Sequence, residues 1–117
     1  KASSWSDLTV PIPLDEEKRL KILHEADILD TSSEEIYDRY TNMASRFFKA
    51  PTSMVSLTDV DRQWFKSRVG LGVCQAHRNH AMCAYAILEE TPPVLTVYDT
   101  LKDPRFQNNP LVVGAPY

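Results

Sequence analysis

The sequence predicts an α+β domain, in which helices and strands occupy separate stretches of the chain. Two helical patterns come first, a β-hairpin pattern follows them, and short helical and strand segments complete the chain. The composition supports a folded domain, because 43% of the 117 residues are hydrophobic and 25% are charged. This balance is typical of globular proteins and argues against a disordered tail.

The amino-terminal stretch predicts an extended arm followed by a helix. Pro11 and Pro13 favour extended backbone, so residues 1–12 are predicted to form the arm and residues 13–117 the domain. The first helix is predicted over Asp15–Leu29. It opens with three acidic residues, which suit the positive end of a helix dipole.

A second helix is predicted over Glu34–Phe48. Ser32 and Glu35 have the spacing of a capping box, in which a hydroxyl and a carboxylate satisfy the first free amides of a helix. Apolar residues then recur every three or four positions, so they share one face of the helix. They are Ile36, Tyr40, Met43, Ala44 and Phe47.

A β-hairpin is predicted from residues 52–58 (TSMVSLT) and 63–69 (QWFKSRV). Asp59 and Asp61 lie in the connecting turn, where we expect them to be exposed. Side chains alternate between the two faces of a strand. One face of the second strand is then expected to carry Trp64, Lys66 and Arg68, and the other Phe65, Ser67 and Val69. The cations expected to face solvent are Arg62, Lys66 and Arg68.

Short elements are predicted in the remaining chain. Cys83–Glu89 indicates a short helix, and Val94–Tyr98 indicates an apolar strand that follows two prolines. Asp103–Phe106 predicts one helical turn, because its proline stands at the first helical position, where proline is tolerated. Asn109 before a proline predicts a further turn.

Several of these segments together resemble a GAF domain, of the kind found at the input end of bacterial-type signalling proteins. The resemblance runs from about Pro13 to Pro116, and its longest part is the hairpin block Val55–Leu71 (VSLTDVDRQWFKSRVGL). The other matching stretches are Ile28–Thr31, Cys83–Leu88, Val97–Asp99, Asp103–Phe106 and Asn109–Val112.

The resemblance implies an antiparallel sheet with helices on its faces and a small-molecule pocket beside the sheet. It implies a regulatory module without catalytic activity, which passes its state to an output domain such as a histidine kinase, a diguanylate cyclase or a phosphodiesterase. Similar domains continue with two central strands and a further helix, which we expect to be absent from this chain. We therefore expect unpaired strand edges on Thr52–Thr58 and Val94–Tyr98, and a tendency to associate.

The pocket implied by the resemblance has five candidate ligand-binding residues, which are Trp64, His80, Cys83, Tyr85 and Asp99. The segment before the short helix reads RNHAMCAY, whereas similar domains read Arg-Asp-Ile-Ser-Phe-Cys-Ala-His. Asn79, Ala81 and Tyr85 thus replace a carboxylate, a hydroxyl and an imidazole. Polar groups in a pocket orient its ligand. Because three of them are replaced here, the ligand of similar domains is not assigned to this chain. The sequence identifies no cofactor.

The two cysteines support weaker alternatives. Cys74, His77, His80 and Cys83 recur every third residue, and these residue types are zinc ligands. A regular helix would spread them around its axis, so a metal site requires a loop. Without a metal, Cys83 is expected to pack as a small apolar residue. The alternative is that Cys83 is redox-active and the chain is an enzyme that reduces free methionine sulfoxide. A bilin site is disfavoured, because no cysteine stands next to a histidine.

Charge and hydropathy argue against two classes of protein, those that bind nucleic acids and those that span a membrane. The net charge is −3 and there is no basic tract, so no nucleic-acid partner is expected. No apolar run is long enough to span a membrane, and a cytoplasmic location is expected. The leading hypothesis is a non-enzymatic sensory module that binds a small molecule and forms a homodimer. The alternative is a ligand-free scaffold, in which the two long helices form the dimer interface.

Overall fold

A three-stranded antiparallel sheet lies at the centre of the chain, with two longer helices before it and short helices after it. This computed structural model describes residues 8–88 and 92–114. The elements are α1 (Glu16–Glu25), α2 (Glu35–Phe48), β1 (Ser53–Thr58), β2 (Arg62–Val69), β3 (Gln75–His77), α3 (Cys83–Ala86) and α4 (Pro110–Val113). Two 3₁₀ turns occupy Arg78–His80 and Thr100–Lys102. The predicted α+β class is confirmed, and the arrangement is compatible with part of a GAF-like fold.

The two long helices are shorter than predicted. α1 ends at Glu25 because Asp27 and Asp30 adopt left-handed backbone, with φ angles of 52° and 61°, which a helix cannot contain. α2 begins after Glu34 without a side-chain cap, so the predicted capping box is wrong. Instead, the carbonyl of Ser32 accepts a hydrogen bond from Lys66 Nζ at 2.6 Å. A contact with a distant residue thus takes the place of the predicted cap.

The predicted hairpin is present, with a register shift that the sequence pattern does not reveal. Val55 pairs with Ser67 and Ser56 pairs with Phe65, so Lys66 has no partner on β1. Such a bulge interrupts the alternation of side chains. Lys66 and Ser67 therefore both contact the α2 side, through Ser32 and Asp38 respectively.

The bulge also buries Lys66, which was expected to face solvent. Lys66 is only 3% exposed, and its Nζ donates to Thr31 Oγ1 at 2.7 Å and pairs with Glu34 Oε2 at 2.7 Å. Asp59 is also less exposed than expected, since its carboxylate contacts His24 at 2.7 Å and Arg62 at 3.2 Å. A buried charge needs such partners to offset the loss of hydration.

The predicted strand over Val94–Tyr98 is wrong. Val94 is 77% exposed and Tyr98 is 97% exposed, and this segment pairs with no strand among residues 8–88 and 92–114. A strand needs the backbone hydrogen bonds of a neighbour. The sheet order β1-β2-β3 instead places β1 at an edge and adds β3, which the sequence pattern did not indicate.

The short helices also differ from the predictions. α3 ends at Ala86, and residue 89 of the predicted helix lies outside the described residues. At the predicted helical turn, the amide of Phe106 donates to the carbonyl of Asp103 at 3.0 Å. Asn109 caps the start of α4, because its Oδ1 accepts a hydrogen bond from the amide of Leu111 at 2.8 Å.

The arm predicted over residues 1–12 falls partly outside the structure, which describes its residues 8–12. These have neither helix nor strand, and the amide of Thr9 donates to Asn79 Oδ1 at 2.7 Å. Within the described residues, the core contains few large apolar side chains. The buried hydrophobic residues are Val10, Leu20, Trp64, Phe65, Ala81, Ala84, Phe106 and Val112. None of the helices that the structure describes has the length and apolarity needed to cross a membrane.

Gly70, at the end of β2, provides a test of the hairpin geometry. Its φ of +72° is left-handed, and a Cβ built there would lie 1.9 Å from the carbonyl oxygen of Pro51. We expect Gly70→Ala to lower the free energy of unfolding by about 2 kcal/mol or more. Gly72→Ala is the matched control, because its Cβ would meet open space, and it should change stability by less than about 0.5 kcal/mol. Urea unfolding followed by tryptophan fluorescence measures both, and equal effects would contradict the described hairpin end.

Candidate functional site

Cys83, at the first position of α3, is held against the sheet by two polar side chains. Its Sγ accepts a hydrogen bond from Gln63 Nε2 at 3.1 Å and lies 3.7 Å from Ser56 Oγ. Gln63 is buried in β2, and Cys83 is partly exposed. β1 and β2 therefore position α3 through a neutral amide and a hydroxyl, two partners that the sequence patterns do not indicate.

Tyr85, also on α3, stacks against a buried aromatic ring. The ring centroids of Tyr85 and Phe106 are 5.3 Å apart and nearly perpendicular. The Arg105 guanidinium lies over both rings, 5.7 Å from the centroid of Tyr85 and 4.9 Å from that of Phe106. Such edge-to-face and cation–π contacts hold residues 103–106 against α3.

Asp103 orients Arg105. Its two carboxylate oxygens accept from Arg105 Nε at 3.0 Å and Nη2 at 2.7 Å. These hydrogen bonds lower the pKa of Asp103 and raise the pKa of Arg105. The guanidinium is thus fixed and charged beside Tyr85, and its Nη1 makes no hydrogen bond to a described residue. This cation could contact an anionic ligand.

The other predicted ligand residues lie in different surroundings. His80 is exposed, with its ring 5.9 Å from that of His77. Asp99 is exposed and its Oδ1 accepts from the amide of Leu101 at 3.1 Å, which is the turn-forming role that competes with ligand binding. Trp64 is buried and adjacent to Gln63 in β2, so its side chain points away from Cys83.

The metal arrangement considered from sequence is not assembled. Among the residues that the structure describes, no group of three or more histidine, cysteine, aspartate or glutamate side chains could hold a metal ion. His77 Nδ1 accepts from the amide of Asn79 at 3.0 Å, and Cys74 is exposed. Cys83 faces Gln63 rather than the other three candidates.

Arg78 ties the segment before α3 to α1. Its side chain is completely buried and donates to both carboxylate oxygens of Glu16, one at 3.1 Å. It also donates to the carbonyls of Asp59 at 3.1 Å and Val60 at 3.3 Å. Arg19 approaches the same carboxylate at 2.8 Å. Burial alone would raise the pKa of Glu16, but the hydrogen bonds from Arg78 and Arg19 outweigh it and lower that pKa.

A second ionic group connects the hairpin turn to the loop between α1 and α2. Arg62 donates two hydrogen bonds of 2.8 Å to Asp30, and it also contacts Asp59 and Gln75. The hydrogen bonds with Asp30 raise the pKa of Arg62 and lower that of Asp30. Burial opposes ionisation of Asp59, but the hydrogen bond from His24 helps to lower its pKa.

Three clefts lie around α2. One of about 840 Å³ runs along the outer side of α2, and one of about 540 Å³ lies between α2 and β1. A third, of about 420 Å³, is lined mainly by polar residues that include Asp38 and Lys66. None of the five predicted ligand residues lines these three clefts.

The chain is similar to part of a signalling protein. It is 36% identical over 108 residues to a cyclic di-GMP phosphodiesterase of Pseudomonas aeruginosa. The match covers 92% of this chain and 18% of that protein, so the chain spans less than a fifth of the relative's length. No protein-family model matches the chain. The similarity supports a role in signal transduction.

The comparison corrects one prediction. A protein without enzymatic activity was expected from the resemblance, whereas the relative is named as a phosphodiesterase, which is an enzyme. The prediction of a non-enzymatic protein is therefore contradicted by the name of this relative, of which the chain matches 18%.

Proposed function

We propose that the chain is a GAF-type sensory segment of a cyclic di-GMP signalling protein and binds a small molecule at α3. The observation that carries this proposal is the match of 92% of the chain to 18% of a cyclic di-GMP phosphodiesterase. A match confined to such a share is typical of one domain in a longer protein. In this proposal, the full-length protein carries an output domain and acts in the cytoplasm, where both free cysteines remain reduced.

The surroundings of α3 favour a nucleotide as the ligand class. Tyr85 offers an aromatic ring that is partly exposed, and Arg105 offers a fixed guanidinium beside it. An aromatic ring stacks on a planar base, and a guanidinium pairs with a phosphate. Cys83 and His80 lie close to Tyr85 along the chain and complete the candidate site. Asp99 is proposed at its edge, and Trp64 supports the sheet from the other face.

Thermal unfolding in the presence of cyclic di-GMP, cyclic GMP or cyclic AMP tests the proposal. A ligand at ten times its Kd adds about 1.4 kcal/mol of stability, which corresponds to a rise in Tm of about 5–10 °C for a domain of this size. We expect at least one of the three nucleotides to produce such a rise, and Tyr85→Ala to weaken its binding at least tenfold. Tyr98→Ala is the matched control, because Tyr98 is 97% exposed and lies outside the site.

Arg105→Gln provides a second variant in case Tyr85→Ala unfolds the protein. We expect it to weaken nucleotide binding, whereas Lys102→Gln, which removes an exposed cation from the same segment, should not. The proposal fails if none of the nucleotides raises the Tm. It also fails if the site variants and their controls bind equally well.

A further inference from the structure

One side of α2, which borders both the cleft along this helix and the cleft between α2 and β1, carries a continuous apolar surface that we name the α2 stripe. It consists of Ile36, Tyr40, Met43 and Phe47, whose exposures are 56%, 62%, 56% and 77%. These residues are separated by four, three and four positions, so they lie along one side of the helix. The sequence predicts this apolar face, but the structure leaves it in solvent.

α2 contacts the sheet through a different side. Thr41 is buried there, and its Oγ1 lies 2.8 Å from Ser67 Oγ. Tyr37 lies beneath Lys66 Nζ, which is 5.5 Å from its ring centroid. Because this polar side faces the sheet, the α2 stripe is uncovered by the rest of the described chain. Exposed apolar residues that form a contiguous patch indicate an interaction surface.

Two arginines give this surface a specific charge pattern. Arg39 and Arg46 line the cleft of about 840 Å³ together with Ile36, Tyr40 and Met43 of the α2 stripe. Both are exposed, and neither forms an ion pair or side-chain hydrogen bond with a described residue. They are seven residues apart, which is about two turns and 10 Å along the helix. No carboxylate lines this cleft.

We propose that the α2 stripe docks an amphipathic helix that carries carboxylates about two turns apart. The apolar side of such a helix covers Tyr40, Met43 and Phe47, as in other helix-in-groove complexes. Its carboxylates pair with Arg39 and Arg46, and the guanidinium fork suits a carboxylate geometrically. α2 has 14 residues and therefore spans about 21 Å, enough for a partner helix of four turns.

The charge pattern favours an acidic helix over a second copy of this chain. In a two-fold pair of α2 helices, the surface of one copy meets the same surface of the other. Arg39 and Arg46 of both copies would then surround one interface whose cleft carries no carboxylate. Like charges at an interface are unfavourable, whereas an acidic partner neutralises them.

Two synthetic peptides test this proposal. Both are labelled 18-residue amphipathic helices with the same apolar positions, and the flanking residues are glutamates in one and lysines in the other. Fluorescence anisotropy with the full chain should show that the glutamate peptide binds at least tenfold more tightly. Raising the salt concentration should weaken this binding. The double variant Arg39→Glu with Arg46→Glu should reverse the preference in favour of the lysine peptide.

The matched control is the double variant Lys21→Glu with Lys102→Glu. It changes the net charge by the same amount at exposed positions outside α2 and its clefts, and it should preserve the preference for the glutamate peptide. Equal binding of the two peptides, or no binding of either, would overturn the proposal. Light scattering that shows a dimer which Phe47→Ser dissociates would assign the surface to a second copy and overturn it as well.

Discussion

Replacing Arg78 by methionine should remove about 3–5 kcal/mol from the free energy of unfolding. The side chain of Arg78 is completely buried, and its guanidinium satisfies the buried carboxylate of Glu16. Methionine preserves much of the side-chain volume but leaves that carboxylate with Arg19 as its remaining cationic partner. A buried carboxylate that loses one of its two cationic partners costs far more than a lost contact at the surface. Urea unfolding at pH 7 measures the difference.

Arg68→Met is the matched control for this prediction. Arg68 is exposed, and its Nε donates to the carbonyl of Leu71 at 3.0 Å. Because surface contacts contribute little, this variant should lose less than about 1 kcal/mol. Equal losses in the two variants would contradict a buried Glu16–Arg78 pair. The double variant Glu16→Gln with Arg78→Met should lose less than the sum of the single variants, because the two residues interact.

The effect of Arg78→Met should also depend on pH. In the wild type the pKa of Glu16 is below its usual value of 4.5, so its stabilising contribution is present above that pH. This contribution is lost as the pH falls through the folded-state pKa. Without Arg78, burial raises the pKa of Glu16 relative to the wild type, and protonation becomes less unfavourable for the folded state. The difference in the free energy of unfolding between the wild type and Arg78→Met should therefore be smaller at about pH 4 than at pH 7. An equal difference at the two pH values would contradict the pairing of Glu16 with Arg78.

Replacing Phe106 by alanine should cost about 3–5 kcal/mol of stability. Phe106 is 1% exposed, and its ring contacts Tyr85 edge-to-face and the Arg105 guanidinium. Few large apolar residues are buried in the described chain. Removing this ring therefore takes away a considerable part of the packing of the core. The loss should also release residues 103–106 from α3.

Phe48→Ala is the matched control for Phe106→Ala. Phe48 is 73% exposed, so its removal should change the free energy of unfolding by less than about 0.5 kcal/mol. Urea titrations followed by circular dichroism compare the two variants. Similar losses would show that residues 103–106 do not pack as described. Phe106→Leu should recover part of the stability, because it refills part of the cavity.

The hairpin and α2 could be predicted because their signals are local. Residues 52–58 and 63–69 have strand composition on both sides of an aspartate-containing turn, and Glu34–Phe48 has helical periodicity. The bulge at Lys66 could not be predicted, because it depends on the pairing of two strands. The same holds for the Val94–Tyr98 segment, whose apolar composition suggests a strand although no strand within residues 8–88 and 92–114 pairs with it.

The candidate site was predictable only in part. Cys83 and Tyr85 were identified from the resemblance, and the structure places both on α3. Gln63, Arg105 and Phe106 were missed as their partners, because each contact joins residues that are distant in the chain. The available signal was Gln63 itself, a polar residue directly before Trp64 and Phe65 in the predicted strand, since a buried amide needs a hydrogen-bond partner.

The sequence by itself determined the α+β class, the hairpin and the apolar face of α2, because composition and periodicity act over short distances. Tertiary structure decided which side of α2 meets the sheet, which charges are buried and how α3 is held. Glu16 and Arg78 are 62 residues apart, and nothing in either local pattern indicates their pairing. A buried charge needs such a partner, and burial arises only when segments that are distant in the chain pack together and exclude water.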